Sequence, residues 1–247
     1  GGVQRLTDRE ESELNPALSS KGGYVSFVRD RRLWVGEVGD EAQPITPKEG
    51  DAIRWGEAEF VAQEEMARLT GYWWSPEDRR IAVERFDESM VGIVTRAAIG
   101  ATGTKVFDQR YPVAGSANAV VELFVMNPDG TNRVKVDLGK ETDIYLARVD
   151  WAPDGSALYV QRQNRQQTVL DMLEVDPATG KSEVLFTERA AMDDYWINLS
   201  DDYKWLDDGS LIWWSERDGY GHLYRYESGE WAQLTSGEWM VTKLVGV

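Results

Sequence analysis

Glu64 and Glu65 are adjacent carboxylates in the stretch Phe60 to Pro76, FVAQEEMARLTGYWWSP. Side by side, two acids fit one of three chemistries. They can form a solvated helix face, which is common for a Glu-Glu step. They can act as the acid and base of a glycosidase, but neighbours on one backbone diverge, whereas that reaction wants carboxylates separated across a sugar. They can bind an ammonium group, whose three donors satisfy two carboxylates at once through charge-assisted hydrogen bonds. Spacing alone leaves the first and third readings open.

Other chemistry is thin. A serine hydrolase of the α/β type needs Gly-x-Ser-x-Gly with a downstream His. Gly115-Ser116-Ala117 and Gly209-Ser210-Leu211 both lack the second glycine. The sole histidine, His222, reads as a structural strand residue, and one His cannot build a metal cluster. The absence of cysteine excludes disulfides, thiolate metal sites and a Cys nucleophile. Asp193-Asp194 and Asp207-Asp208 read as turn formers, and no EF-hand spacing is present. The sequence therefore assigns no catalytic residue and calls for no metal or cofactor. A net charge of −16 argues against a nucleic-acid partner, because phosphate binding needs clustered Lys and Arg. No apolar run is long enough to span a bilayer as a helix, and no signal peptide is visible.

The elements that must carry the acidic pair are mostly strands. Of 247 residues, 42% are hydrophobic, enough for a sizeable core, and the 11 Trp and 10 Tyr suit pleated, half-buried surfaces. Four segments repeat one pattern of an apolar residue, a tight turn and a strand. They begin at Leu18 (LSSKGGYVSF), Trp74 (WSPEDRRIAV), Trp151 (WAPDGSALYV) and Trp205 (WLDDGSLIWW). Pro presets φ in such turns and Gly accepts positive φ. Each is followed by a second hairpin, as at Arg32–Val35 and Leu223–Tyr226. Several of these end in a Leu-Thr or Ile-Thr step: Leu6-Thr7, Ile45-Thr46 and Leu234-Thr235. Repeated four-stranded units predict an all-β fold, a β-propeller arc of about four blades. A generic β-sandwich would not repeat the turn four times.

One short helix is expected, roughly Glu57 to Leu69, and it carries Glu64 and Glu65. Met90 to Arg110 reads as a protruding β-arm. Trp73 and Trp74 read as blade core rather than a carbohydrate platform, because Trp74 opens a turn motif. Trp239 to Val245 looks like the first strand of a further blade. The chain is thus expected to be a piece of a larger ring, with open sheet edges that self-associate at high concentration.

Several segments resemble the dipeptidyl peptidase IV family of serine peptidases. Phe60-Val-Ala-Gln-Glu-Glu-Met followed by Tyr72-Trp-Trp-Ser-Pro is similar to the family's Glu-Glu motif. Arg110-Tyr-Pro-Val-Ala-Gly-Ser-Ala-Asn is similar to its Tyr-Pro-x-Ala-Gly-x-x-Asn-Pro signature. Tyr145–Trp151, Gln161–Asn164, Glu216–Tyr224 and Leu234–Val241 continue the match in order along nearly the whole chain. The departures are Ala119 where the family has Pro and Phe60 where Trp is usual. Around Trp196–Ser200 there is no Phe-Arg pair of the kind that extends the substrate pocket in some members.

The resemblance implies an eight-bladed propeller fused to an α/β-hydrolase domain, of which residues 1–247 would be a partial propeller without the catalytic domain. It implies that Glu64 and Glu65 hold the free α-amine of a peptide, so that a separate serine releases Xaa-Pro or Xaa-Ala dipeptides. The fragment would be inert by itself. The arm, about Val91 to Arg110, would serve a homodimer, and a periplasmic or secreted location would be expected. Two other readings stay open: a protein-binding propeller scaffold similar to TolB-like repeats, and a glycan-active propeller.

Overall fold

The computed structural model describes Thr7, residues 10–192 and residues 195–247. Leu6 of the first Leu-Thr step, and Asp193-Asp194, lie outside the described residues. Four antiparallel sheets follow one another along the chain. The first is a meander of β1 (Leu14–Leu18), β2 (Tyr24–Arg29), β3 (Arg32–Glu37) and β4 (Gln43–Pro44). The second takes β5 (Ile53–Trp55), then the single helix α1 (Phe60–Glu65), then β6 (Tyr72–Trp74) and β7 (Ile81–Asp87). A separate two-stranded hairpin intervenes, β8 (Ile93–Gly100) and β9 (Gly103–Arg110). The sheet then resumes with β10 (Val120–Met126) and β11 (Val134–Lys135). The third is a meander of β12 (Ile144–Trp151), β13 (Leu158–Asn164), β14 (Val169–Val175) and β15 (Ser182–Arg189). The fourth runs through β16 (Lys204–Trp205), β17 (Leu211–Ser215), β18 (His222–Glu227) and β19 (Glu230–Gln233).

The four turn motifs each join the first and second strands of a sheet. Each closes with the same type of backbone bond, seen at Gly22 to Ser19, Asp78 to Ser75, Gly155 to Ala152 and Gly209 to Leu206. The turn residue is left-handed in all four, and in the second sheet it is Asp78 at φ 62° rather than Gly. Asp tolerates that region through its short polar side chain.

Sheets pack face to face in sequence, which is how a propeller buries strands that are apolar on both faces. Val28, Leu33 and Ile45 of the first sheet meet Trp55, Ile81 and Val83 of the second. Phe86 and Leu123 of the second join Leu146, Val160 and Leu173 of the third. Tyr159 and Phe186 of the third pack on Trp205 and Trp213 of the fourth, and the Tyr159 and Trp205 rings stack 3.5 Å apart. The chain therefore has the all-β propeller architecture its sequence predicts, an arc of four blades.

Two expectations change. The helix covers Phe60–Glu65 rather than Glu57–Leu69. Glu57 instead forms an isolated antiparallel bridge to Thr70. The segment Trp239–Val245 forms no strand. It lies beside the fourth sheet, where Val241 N–H donates to Gly221 and the Val241 carbonyl accepts from the Trp214 indole. The arm is a hairpin, as expected, beginning at Ile93. Trp73 and Trp74 are wall residues of the blades: Trp73 packs on the second core cluster and Trp74 stacks on Tyr24 at 5.3 Å. His222 is fully buried, its ring nitrogens 3.0 Å from the Thr235 hydroxyl and the Gly237 carbonyl, with Trp239 edge-on. That is a packed strand residue. Asp208 accepts the Ser210 amide and hydroxyl within its turn.

Candidate amine-binding site

The acidic pair sits on an excursion that splits one strand in two. β5 and β6 both pair with β7, β6 opposite residues 81–83 and β5 opposite residues 85–87. The residue left between them is Glu84. Its amide donates to Gly71 and its carbonyl accepts from Gly56, so the chain leaves the sheet at Gly56 and returns at Gly71. The neck is tight. A Cβ at Gly71 would overlap the Glu57 backbone carbonyl, so only glycine fits there.

Inside the excursion the helix is short and needs help, since helices of this length have no stability of their own. Its N-cap is Glu59, whose carboxylate accepts from the amides of Val61 (2.6 Å) and Ala62 (2.8 Å). Negative charge there complements the helix dipole. Burial nevertheless pushes the Glu59 carboxyl above its usual range. Ala58, Ala62 and Met66 form a small core against Tyr145 and Ala147 of β12, with Leu199 at its edge. The helix is thus docked on the third sheet although its chain belongs to the second.

Glu64 and Glu65 occupy the last two positions of this helix and are exposed. Neither makes a hydrogen bond or ion pair within the described residues. The last turn carries no basic residue. The helix carbonyl end is itself partly negative, so two carboxylates there are placed against the dipole. The arrangement concentrates negative potential and offers it to solvent. What it can do chemically is accept hydrogen bonds from a cation. Two residues further on, the strap from Ala67 to Thr70 enters the wall of an open cavity of about 910 Å³. Ala17 of β1, Trp73 of β6 and Asp150 of β12 also line it. These are residues of first strands from three sheets; Glu64 and Glu65 are not among its lining residues. Asp150 is half-buried there and accepts from the Tyr203 hydroxyl at 2.7 Å; desolvation raises its carboxyl.

A model of the family described as "Dipeptidyl peptidase IV (DPP IV) N-terminal region" matches residues 1–247. The chain belongs to this family. A probable dipeptidyl peptidase 4 from Aspergillus flavus is 25% identical over 264 residues, covering 99% of this chain and 34% of the relative. One from Emericella nidulans is 27% identical, covering 93% and 32%. Among solved structures, the crystal structure of Porphyromonas gingivalis dipeptidyl peptidase 4 superposes with a TM-score of 0.87 at 26% identity. That match takes in 98% of this chain and 35% of the other. A putative dipeptidyl aminopeptidase IV from Bacteroides ovatus gives 0.77 at 28% identity, with 95% and 35% coverage. The chain spans about a third of the length of the curated relatives it matches.

Three segments that are far apart in this family member's sequence meet around the helix. Phe60 packs on Tyr111 with ring centroids 4.9 Å apart, and Asn118 donates to the Tyr145 hydroxyl at 3.0 Å. The Tyr111–Asn118 segment therefore braces both the helix and the strand beneath it. Arg165 adds a bond to the Ser116 carbonyl at 2.9 Å. Among the described residues no group of acids and histidines is arranged to hold a metal ion. No helix among them is long and apolar enough to cross a membrane.

Sequence reasoning missed the residues under the helix. Glu84 is fully buried, bonded to Arg68 at 2.5 Å, and the Arg68 side chain is 5% exposed. Burial raises the Glu84 carboxyl to about 7 against the pull of the Arg68 guanidinium. One signal was available. Glu84 stands within Ile81-Ala-Val-Glu-Arg-Phe, a strand whose neighbours are nearly all buried, and a charge there needs a partner.

Proposed function

We propose that this chain is the propeller region of a serine dipeptidyl peptidase and that Glu64 and Glu65 anchor the free amine of its peptide substrate. The observation that carries the reading is an exposed carboxylate pair, without a partner among the described residues, at the C-terminus of a helix docked on the third sheet. A peptide α-amine has a reference pKa of about 7.7–8.0 and is mostly charged near neutrality. Its three donors match two carboxylates. Clasping that nitrogen fixes how far the chain extends toward a hydrolase domain in the rest of the full-length protein. Cleavage then falls after the second residue, with release of Xaa-Pro or Xaa-Ala dipeptides. A blocked N-terminus would leave two carboxylates desolvated and unpaired, at a cost on the order of a few kcal/mol. The propeller in this way gates which peptides are cut.

The test is made in the full-length protein. Glu64→Gln and Glu65→Gln should each lower kcat/KM for a free-amine Xaa-Pro substrate by roughly one to two orders of magnitude, with unchanged thermal unfolding. Wild-type kinetics in both variants would reject the anchor.

The β8–β9 hairpin is proposed to serve a homodimer. It pairs with no other sheet, and Ile93, Ile99 and Val106 are largely exposed along it. Apolar area of this kind favours burial against a partner. Its ends are already joined by the bond from the Tyr111 amide to the Gly92 carbonyl, so residues 93–110 can be removed without stretching the sheet. The shortened protein should elute as a monomer. An unchanged elution volume would refute the assignment.

A further inference from the structure

Arg68 lies three residues beyond Glu65, and its side chain turns back beneath the helix. Ala67, at φ 53°, makes that reversal. A left-handed alanine costs on the order of 1 kcal/mol, so it persists only where its surroundings hold it. The Arg68 amide donates to the Ala62 carbonyl at 3.0 Å, closing the end of the helix. The guanidinium then reaches three elements. One nitrogen donates to the Thr70 carbonyl (2.8 Å) in its own strap and to the Glu84 carboxylate on β7. The other donates to the Leu146 carbonyl (2.8 Å) on β12. One planar fork therefore ties the excursion to both the second and the third sheets.

We infer that Arg68 is a positioning residue for the amine site, fixing the Glu64–Glu65 shoulder by clasping Glu84 and the Leu146 carbonyl from one rigid group. The inference rests on the amine-anchor reading above. Two observations favour placement over simple stability. First, a buried ion pair contributes little net stability once desolvation is counted, and its best-attested use is to fix register. Second, the clasp is incomplete: Arg68 Nε and Glu84 Oε1 have no partner among the described residues. Buried polar atoms left without a bond are costly, so the clasp stabilises the fold less than its contacts alone would suggest. The geometry also demands arginine. A lysine ammonium is a single point on a flexible stem and cannot address two sheets in one plane. The charges facing this clasp are Glu84 from β7 and Glu59 from the helix N-terminus.

The experiment uses the full-length protein with four variants: Arg68→Lys, Arg68→Met, Glu84→Gln and the double change Glu64→Gln, Glu65→Gln. Steady-state kinetics are measured with an Xaa-Pro chromogenic amide bearing a free amine and with its desamino analogue. A phosphonate titrant counts competent active sites. The two Arg68 variants and Glu84→Gln should raise KM for the free-amine substrate at least about tenfold, with kcat per titrated site within about threefold. The desamino analogue should react as it does with wild type. An unchanged KM, or a loss of titratable sites with KM unchanged, overturns the inference, since either would mean a purely structural role. Should Arg68→Met fail to fold, Arg68→Lys and Glu84→Gln decide. If the double carboxylate variant behaves as wild type, the amine anchor itself fails. If that variant is impaired and the Arg68 and Glu84 variants are not, only the positioning role fails.

Discussion

The excursion between β5 and β6 and the hairpin between β7 and β10 leave the same sheet, from opposite sides of β7 in the sequence. They are held in opposite ways. The first is closed by a glycine neck, capped by Glu59, cored by Ala58, Ala62 and Met66, and tied down by Arg68. Most of its apolar residues are inside, Leu69 excepted, and Glu64 and Glu65 are among its exposed groups. The second is eight residues paired with eight, with Ile99 84% exposed and little beneath it. Its register comes from its own ladder. One design ties the chain at the end of the helix to two sheets, which suits the proposed ligand anchor. The other presents apolar surface on a lever, which suits a partner that completes its burial. The two meet where Phe60 packs on Tyr111, at the start of the helix and just past the end of the hairpin.

The sharpest way to break this contrast is Gly71→Ala. The added methyl has no room against the Glu57 carbonyl, so the neck must open. The unfolding free energy of the full-length protein should fall by about 1–3 kcal/mol, the range for forced overpacking, and discrimination for free-amine substrates should fall with it. Denaturant titration and paired assays read both. Undiminished stability would mean that the neck does not fix the excursion.

A smaller effect concerns pH. Burial holds the Glu84 carboxyl at about 7 in the folded protein, above its free value of 4.5. The folded state therefore binds a proton that the unfolded state has released between these limits. The stability so contributed is present at low pH and is lost as pH rises through 7. Thermal midpoints should drop between about pH 5.5 and about pH 8 more steeply in the wild type than in Glu84→Gln. Parallel curves would show that Glu84 does not titrate there. Ile99→Ser, on the hairpin, should change unfolding by no more than about 0.5 kcal/mol, because the side chain already faces water. A cost of core magnitude would show that the hairpin is packed as firmly as the helix.

Much of the fold was legible because its signals are local. The four turns carry their conformation in local residues, Pro and Gly in Trp151-Ala-Pro-Asp-Gly and Asp78 in place of Gly in the second, and each sits where the repeat predicts. The hairpin was legible because Met90 to Arg110 lacks charge for much of its length. The split strand was not. Ile53–Trp55 and Tyr72–Trp74 are three residues each, too short for a period, and their continuity exists only through pairing with β7. The helix was overestimated because Met66 and Leu69 extend its apolar spacing, while the reversal at Ala67 is imposed by contacts distant in sequence. The carboxylate pair was visible from its residues and the resemblance. Arg68 was not, since its partners lie 16 and 78 residues away. Trp239–Val245 has strand composition but finds no ladder in the described residues.

The two halves of the split strand keep their register on either side of Glu84 whatever the chain does between Gly56 and Gly71. Loop length is therefore decoupled from blade geometry. A longer or shorter excursion grafted onto the same two glycines would carry its acids to a new place relative to the blades, and under the proposed amine anchor the released products would change in size.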